Sequence, residues 1–375
     1  MSAELLEGSE AIARAMVSAG CRFFAGYPMT PFTEVLEGMA KLMPAAGGDC
    51  VNAESELEAI GMAWGAAAAG ARAATGSVGQ GLSLMQESIA ELCFARVPMV
   101  VLNMARGQGD YYQATRGGGH GDYRTIVLAP VDLAEAVRLV QLAFYLADKF
   151  RNPVMFMGDY YLAHVFEAVD TATVDFGALP RKDWALDGSS SGSGNARIVS
   201  SIMPTKRNAP IYVEYGAYLE TGGQKIAAIE RQMEPMYEQA GCEDADCVIV
   251  AYGTPARIVR YVAGQLRREG LRVGFFRPVT LWPFPSAQLA AATRSARGIG
   301  VYELNAGQMI DDVRLAVRDR DASSIGGPSF DSSGFGIAPD LTPSKVAARI
   351  RAFLAETCQA APACQAAPAC RGAPA

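Results

Sequence analysis

The sequence predicts an α/β protein with two doubly wound domains, of which the second is the smaller. Helical and extended patterns alternate at short intervals up to about residue 165, which is typical of βαβ units that build a parallel sheet. The periodicity fades over residues 176–243, and a second alternation begins at Cys247. With 375 residues, 50% of them hydrophobic, the chain can bury more than one core.

In the first half, predicted helices and strands follow one another closely. Ser9 is expected to cap a helix that ends near Gly20, and residues 21–25 form a short buried strand. Asp132 and Glu135 are spaced like a capping box at the start of a long helix. The other predicted elements are helices 31–42, 54–69, 82–94 and 131–150 and strands 73–78, 99–104 and 153–157.

The predicted organisation has four parts. The first domain covers residues 1–175, a linker region with a flexible GSSSGSG stretch covers 176–243, and the second domain covers 244–357. Residues 358–375 form a disordered tail of three hexapeptides, CQAAPA, CQAAPA and CRGAPA, in which each proline prevents a regular helix. A metal-binding or redox role for the tail cysteines is the alternative to a terminus without chemistry.

The charge balance argues against a nucleic-acid partner. The chain has 33 Lys and Arg against 39 Asp and Glu, a net charge of −6. No apolar run reaches the ~20 residues that a membrane helix needs, and the N-terminus lacks the pattern of a signal peptide. None of the eight cysteines forms a C-x-x-C pair. We therefore expect a cytoplasmic protein that binds small molecules or other proteins.

A first candidate site is the turn GYPMTP, residues 26–31, which lies between a strand and a helix. Ligands of α/β folds bind at such turns because N–H groups at the helix N-terminus point outward. Thr30 is predicted as the helix N-cap and Pro31 as the first helical residue, so a hydroxyl could hold a carboxylate or phosphate there. The alternative is a turn that only starts a helix, as expected at Thr254 and Thr342.

A second candidate is Glu56 on the predicted helix 54–69. Residues turn by ~100° each along a helix, so Glu54 and Glu58 point away from Glu56. The face of Glu56 is otherwise apolar and carries Ile60, Ala63 and Ala67. A carboxylate on that face needs a partner and is suited to proton exchange with a ligand. A structural pair with a nearby N–H group or arginine is the alternative.

Two further segments carry weaker signals. Residues 76–87, GSVGQGLSLMQE, allow close approach of a ligand but lack the dinucleotide and phosphate-loop spacings. Arg106 follows an apolar strand and could bind a carboxylate through two hydrogen bonds, although a solvated loop arginine is the usual alternative. The polar loop 106–124 is long enough to predict a lid or an interface. His120 and His164 are the only histidines, so we expect no histidine metal site.

The motifs GYPMTP, AESELEAIGMAWGAAAAGARAATGSVGQGLSLMQE, YYQATRGGGHGDYR and LADKFRNPVM resemble a known family. It is the α subunit of thiamine-diphosphate-dependent 2-oxoacid:acceptor (ferredoxin) oxidoreductases, and the branched-chain (2-oxoisovalerate) type is most similar. The resemblance is dense over residues 5–170 and weak over 245–320, where it includes RPVTLWPFP. It implies a thiamine-diphosphate pyrimidine-binding domain like that of transketolase, followed by a transketolase C-terminal-like domain.

The resemblance also implies roles for individual residues. Glu56 matches the glutamate that hydrogen-bonds the aminopyrimidine ring of the cofactor. Thr30 and Arg106 match residues that hold the carboxylate and carbonyl of the substrate, and Tyr27 and Pro28 would lie beside the cofactor. The glycine-rich turn would also approach it, through Gly79, Gln80 and Gly81.

The implied reaction is the coenzyme A-dependent oxidative decarboxylation of a 2-oxoacid to acyl-CoA and CO2. The sequence has no G-D-G…N segment for diphosphate and Mg2+ and no cysteine set for a 4Fe–4S cluster. The resemblance therefore implies a β subunit that binds diphosphate and Mg2+, and γ/δ-type subunits whose iron–sulfur clusters pass electrons to ferredoxin or another acceptor.

Two alternatives to this function stay open. The chain could be a subunit of a non-oxidative thiamine-dependent decarboxylase or transketolase-like enzyme, or a non-catalytic α/β scaffold subunit. The segment between Arg106 and the Tyr-Gln-Ala-Thr motif is shorter than in the branched-chain type, so the resemblance does not fix the oxoacid as branched-chain, aryl or 2-oxoglutarate.

Overall fold

A computed structural model describes residues 3–179, 181–186, 222–319, 325 and 341–359. Its strands are β1 (Glu4–Glu7), β2 (Phe23–Gly26), β3 (Asp49–Asn52), β4 (Ala73–Ser77), β5 (Val100–Ala105), β6 (Ile126–Leu128), β7 (Val154–Asp159), β8 (Phe166–Val169), β9 (Tyr237–Ala240), β10 (Cys247–Ala251), β11 (Val273–Pro278), β12 (Thr280–Trp282) and β13 (Gly298–Tyr302). Its helices are α1 (Gly8–Ser18), α2 (Thr33–Leu42), α3 (Glu56–Ala68), α4 (Gly79–Ala95), α5 (Tyr111–Thr115), α6 (Leu133–Phe150), α7 (Tyr160–His164), α8 (222–232), α9 (Gly253–Arg268), α10 (Ser286–Ala292), α11 (Met309–Ala316) and α12 (Pro343–Gln359).

The predicted α/β architecture is confirmed. The first sheet has seven strands in the order β12-β6-β7-β5-β4-β2-β3, all parallel except β12. From β2 the chain runs outward to the edge strand β3 and then crosses back over β2 to β4. The direction of winding therefore reverses beside β2, and such a switch point opens a crevice at the carboxyl ends of the strands.

Helices cover both faces of this sheet. On one side α1 packs against α2 and α6, and on the other α3 packs against α4. Strands β4 and β5 are buried along their whole length because both of their faces are covered. This burial explains why their sequences are continuous short runs of apolar and small residues rather than alternating patterns.

The second domain is a smaller doubly wound unit, as predicted. Its sheet has the order β13-β10-β11-β9, with β9 antiparallel to β11. Helices α9 and α12 pack together, and so do α10 and α11. Along β10, Ile249 packs with the α9–α12 layer, whereas Val248 and Val250 pack with the core that includes α10 and α11. The alternation shows that the two helix pairs lie on opposite faces.

The two domains are joined by more than the chain connection. Strand β12 belongs to the RPVTLWPFP segment and pairs antiparallel with β6, so it completes the edge of the first sheet. Arg277, at the end of β11, is only 4% exposed and bonds both carboxylate oxygens of Glu135 at 2.8 and 3.0 Å. Its Nε donates to Glu238 at 2.9 Å. One guanidinium therefore ties α6 of the first domain to β9 and β11 of the second.

Several predicted helix starts are wrong. Helix α2 begins at Thr33, because Phe32 and Thr33 donate to the carbonyl of Met29 and close a turn before the helix. Thr30 is therefore not its N-cap. The hydroxyl of Ser9 donates to the carbonyl of Ala163 at 3.1 Å instead of capping α1.

The Gly79–Gly81 turn is also different from the prediction, because Gly79 begins α4 and the turn is the first turn of that helix. The cap at Asp132 is confirmed, since its side chain accepts from the N–H of Glu135 at 2.9 Å.

Part of the predicted linker and tail lies outside the described residues, namely residues 180, 187–221 (which include the GSSSGSG stretch) and 360–375. Within residues 176–243, α8 packs Ile229 into the core of the first domain and β9 joins the second sheet. Helix α12 continues to Gln359. Among the described helices, none combines the length and apolar character needed to cross a membrane.

Candidate active site

The predicted site residues follow four neighbouring strands. Tyr27 comes directly after β2, Glu56 after β3, Gly79 after β4 and Arg106 after β5. These strands are adjacent and parallel, so their carboxyl ends lie at one edge of the sheet. The fold therefore brings the segments singled out in the sequence to the switch point beside β2, where ligands of α/β proteins bind.

Glu56 is the first residue of α3 and is 4% exposed. Glu54 and Glu58 are exposed, as the helix-face argument predicts. The helix starts here because the hydroxyl of Ser55 accepts from the N–H of Glu58 at 3.3 Å, which is an N-cap. Glu56 has a partner across the sheet, since the hydroxyl of Ser77, at the end of β4, donates to its Oε1 at 2.9 Å.

Two glycines let α4 approach the carboxylates of Glu56 and Asp110 closely. A Cβ atom at Gly81 would lie 2.4 Å from Oε1 of Glu56 and 2.1 Å from the hydroxyl of Ser77. A Cβ atom at Gly79 would lie 2.2 Å from Oδ1 of Asp110. All three distances are too short for a Cβ atom, so the first turn of α4 requires glycine at both positions.

Asp110 is a site residue that the sequence analysis did not single out within the loop 106–124. Its Oδ2 accepts from the amide of Asn103 at 3.0 Å. Burial raises the pKa of the Asp110 carboxyl, and the Asn103 hydrogen bond acts in the opposite direction. The Oδ1 atom of Asn103 is buried without a hydrogen-bond partner. A polar residue inside the apolar strand VVLNMA was the available signal for this pair.

The rim of the site is open. Arg106 donates from Nε to the main-chain carbonyl of Thr30 at 3.0 Å and so ties the turn after β2 to the turn after β5. Tyr27, Pro28 and Thr30 are all exposed. The structure therefore brings Thr30 and Arg106 together, and Glu56 is buried at the same edge of the sheet.

The loop 106–124 forms the short helix α5 and docks on the second domain. The amide of Gln108 donates to the carbonyl of Tyr252 at 2.9 Å and accepts from the N–H of Leu304 at 2.8 Å. The hydroxyl of Tyr111 donates to Asp312 at 2.6 Å. Of the two predicted roles, the loop has that of an interface, and it holds the two domains together next to the site.

The glycine run of the same loop is fixed by Tyr123. Its hydroxyl accepts from the N–H groups of Gly118 and Gly119 at 3.0 and 2.9 Å and donates to Gln86 of α4 at 3.1 Å. A Cβ atom at Gly119 would lie 2.4 Å from the carbonyl of Gln86. The motif GGGHGDYR thus closes the loop over α4, and His120 is exposed.

Two family models match this chain one after the other. Residues 14–234 match the model of the thiamine-diphosphate-binding domain of pyruvate flavodoxin/ferredoxin oxidoreductases, and residues 245–328 match that of core domain II of pyruvate:ferredoxin oxidoreductase. Ketoisovalerate oxidoreductase subunit VorB of Methanothermobacter marburgensis is 37% identical, over 87% of this chain and 93% of its own. The 2-oxoglutarate synthase subunit KorA of Methanocaldococcus jannaschii is 33% identical, over 84% and 91%.

Solved structures agree with these matches. The 2-oxoglutarate:ferredoxin oxidoreductase from Magnetococcus marinus, with 2-oxoglutarate, coenzyme A and succinyl-CoA bound, has a TM-score of 0.75 and 25% identity. The match covers 94% of this chain and 65% of that one, so this chain spans just under two thirds of it. An inactive β4 tetramer of a split-gene transketolase shares the fold, with a TM-score of 0.56 and 14% identity. The chain belongs to the pyruvate flavodoxin/ferredoxin oxidoreductase family.

Proposed function

We propose that the protein is the α subunit of a 2-oxoacid:ferredoxin oxidoreductase. With its partner subunits it converts a 2-oxoacid and coenzyme A to acyl-CoA and CO2 and passes the electrons to an iron–sulfur acceptor. One observation carries this proposal: a buried carboxylate, Glu56, lies at the switch point of a domain that matches the thiamine-diphosphate-binding model. The similarity to ketoisovalerate and 2-oxoglutarate oxidoreductase subunits supports the reaction type.

The residues present fit the pyrimidine end of thiamine diphosphate. Glu56 offers one carboxylate oxygen to a ring nitrogen, while Ser77 occupies the other. Gly81 has no Cβ that would crowd this carboxylate, and Tyr27 and Pro28 provide an exposed rim. When bound, the cofactor would supply the nucleophilic carbon that this reaction needs. Glu56 would hold or release a proton at the ring nitrogen, which is general acid–base chemistry by a buried carboxylate.

Thr30 and Arg106 are the proposed contacts to the substrate. The Nε of Arg106 is held by the carbonyl of Thr30, which leaves the Nη groups to bind the carboxylate of the oxoacid. The hydroxyl of Thr30 lies on the exposed rim, where it can reach the carboxylate or the carbonyl. Gly79 and Gln80 begin α4, whose N-terminal N–H groups line the same edge of the sheet.

The rest of the active site is proposed to come from partner subunits. A β subunit would bind the diphosphate and Mg2+, and γ/δ-type subunits would carry the iron–sulfur clusters. Exposed apolar side chains on α3 and α4 support such docking: Leu57, Met62 and Leu84 are 51%, 43% and 52% exposed. Exposed apolar surface that a partner covers is a common feature of protein interfaces.

Copurification and a substrate panel test the function. The complex isolated from its host through this chain is incubated with coenzyme A, an artificial electron-accepting dye and branched-chain, aryl and dicarboxylic 2-oxoacids. We expect dye reduction that requires both coenzyme A and an oxoacid, with 2-oxoisovalerate as the preferred substrate. Aldehyde release without dye reduction would indicate a non-oxidative enzyme. Full activity of the isolated chain, or an inactive complex, would contradict the proposal.

A further inference from the structure

A basic cleft lies at the edge of the first sheet that is opposite to the candidate active site. Its volume is about 340 Å3, and its lining includes Arg96, Lys149, Arg151 and Lys225. Arg96 precedes β5 and Arg151 precedes β7, which are neighbouring parallel strands. The cleft is therefore at the amino-terminal edge of the sheet, whereas Glu56 is at the carboxyl edge.

The ends of three helices build this cleft. Arg96 and Arg151 are the C-caps of α4 and α6, and both have left-handed backbone angles, with φ of 53° and 47°. The Nε of Arg151 donates to the carbonyl of Arg96 at 3.2 Å. Lys225 of α8 donates from Nζ to the carbonyls of Cys93 and Arg151 at 3.1 and 2.9 Å. These bonds fix the side chains of Arg151 and Lys225 and the main chain of Arg96 at one cleft.

The positive charges of the cleft are poorly compensated. Within the part of the chain that the structure describes, no ion pair joins Arg96, Lys149, Arg151 or Lys225 to a carboxylate. The pKa of Lys225 is lowered to about 8, mainly by burial and also by the charges of Arg96 and Arg151, although Cys93 opposes them. Burial and Arg96 also lower the pKa of Arg151, against the opposing charge of Asp183.

The C-termini of α4 and α6 offset only part of the positive charge in the cleft. Each C-terminus carries roughly half a negative elementary charge, so α4 and α6 together offset about one of the four positive charges. A bound anion would compensate the remainder and relieve the mutual repulsion of the four side chains. The arrangement is therefore better suited to a multiply charged ligand than to a single carboxylate.

We propose that this cleft binds a small molecule that carries phosphate. Guanidinium and ammonium groups are the usual protein ligands of phosphate oxygens. A volume of about 340 Å3 lies at the lower end of ligand pockets and leaves room for more than one phosphate. Because the cleft is remote from Glu56, the ligand acts by holding the ends of α4, α6 and α8 together and takes no part in the oxoacid reaction. An acidic protein segment is the alternative anionic ligand. Because Lys225 is half-buried, the small phosphate-carrying molecule is favoured over the protein segment.

Calorimetric titration of the full chain with inorganic pyrophosphate and with ADP tests the proposal, at an ionic strength held constant with NaCl. We expect at least one probe to bind with a dissociation constant below about 1 mM and to raise Tm. Lys149→Gln should weaken binding by about tenfold, since it removes one charged contact. Lys149 is exposed, so its replacement leaves the helix ends intact. Arg138→Gln, at another exposed position of α6, loses the same charge and should bind like the wild type.

Three results would overturn the proposal. The first is that neither pyrophosphate nor ADP binds to the wild-type chain. The second is that Arg138→Gln and Lys149→Gln lose affinity equally, which would indicate a diffuse effect of net charge. The third is that an oligoglutamate peptide binds whereas pyrophosphate and ADP do not, which would assign the cleft to an acidic protein partner. None of these measurements depends on the proposed enzymatic function.

Discussion

The hydroxyl of Ser77 donates a 2.9 Å hydrogen bond to Oε1 of Glu56, and both side chains are buried. The bond joins the end of β4 to the start of α3 and fixes one oxygen of the carboxylate. The bond also fixes the orientation of the second oxygen, Oε2, which Ser77 does not contact. This relationship explains how a buried carboxylate is kept ready for a ligand at the switch point of the sheet.

Replacement of Glu56 tests its proposed role most directly. Glu56→Gln keeps the size of the side chain but removes the proton exchange, so turnover of the assembled complex should fall by about 10²-fold or more. The measurement is coenzyme A-dependent dye reduction, with subunit assembly followed by size-exclusion chromatography. Glu54→Gln, an exposed neighbour, is the matched control and should keep its activity. Normal turnover of Glu56→Gln would end the assignment.

Ser77→Ala should keep the contact between Glu56 and the cofactor, but the Glu56 carboxylate should be less well oriented. A hydrogen bond to a charged group contributes about 1.5–3 kcal/mol, so we expect kcat to fall by roughly tenfold or more. The KM for the oxoacid should change little, because Ser77 does not reach the rim. Steady-state kinetics of the complex separate the two parameters. An effect on KM alone would show that Ser77 does not act through Glu56.

Gly81→Ala should damage both the site and the fold. The new Cβ would lie 2.4 Å from Glu56 Oε1, and overpacking of this kind costs typically about 1–3 kcal/mol. Thermal unfolding should show a lower Tm than that of the wild type. Gly61→Ala is the control, because a Cβ there has no atom within 4 Å and alanine favours a helix over glycine by about 1 kcal/mol. A stable, active Gly81→Ala variant would contradict the close approach of α4 to Glu56.

Arg106→Ala should act on substrate binding. If its guanidinium holds the oxoacid carboxylate, the KM for the oxoacid should rise by about tenfold or more, since charged hydrogen bonds of about 1.5–3 kcal/mol are lost. The apparent KM for coenzyme A should stay within a factor of about two, because coenzyme A is not the group that Arg106 is proposed to bind. Initial rates over a range of oxoacid concentrations give the result. An unchanged KM for the oxoacid would remove Arg106 from the substrate site.

Arg277→Gln tests the connection between the domains. The wild-type side chain is 4% exposed and pairs with Glu135 and Glu238. Its removal leaves Glu135 without its arginine and Glu238 with Arg260 alone. Breaking a buried ion pair costs about 3–5 kcal/mol. We expect a clearly lower Tm in thermal unfolding. Arg294→Gln, an exposed arginine of the second domain, should unfold like the wild type. Equal Tm values for Arg277→Gln and the wild type would contradict the role of this bridge.

The sequence was sufficient for much of the fold. Apolar periodicity predicted the alternating helices and strands, the smaller second domain and the burial of Glu56 between exposed Glu54 and Glu58. Local spacing also predicted the cap of Asp132 on α6. These features depend on residues within a few positions of one another, which is the range over which helical and strand periods act.

The errors were also local. Thr30 was predicted to cap α2, whereas hydrogen bonds to the carbonyl of Met29 complete a separate turn first. A Thr-Pro pair is compatible with both arrangements. The Gly79–Gly81 segment was predicted as a turn, but close packing against Glu56 and Asp110 makes it the first turn of α4.

Periodicity along the chain determined which face of α3 is buried and therefore that Glu56 needs a partner. Only the tertiary structure decided that this partner is Ser77, 21 residues further on, and that Asp110 lies against Gly79. The crossing of the chain from β3 back over β2 to β4 brings these residues together. Strand order is set by long-range packing of whole layers, and a single sequence has no local pattern that records it.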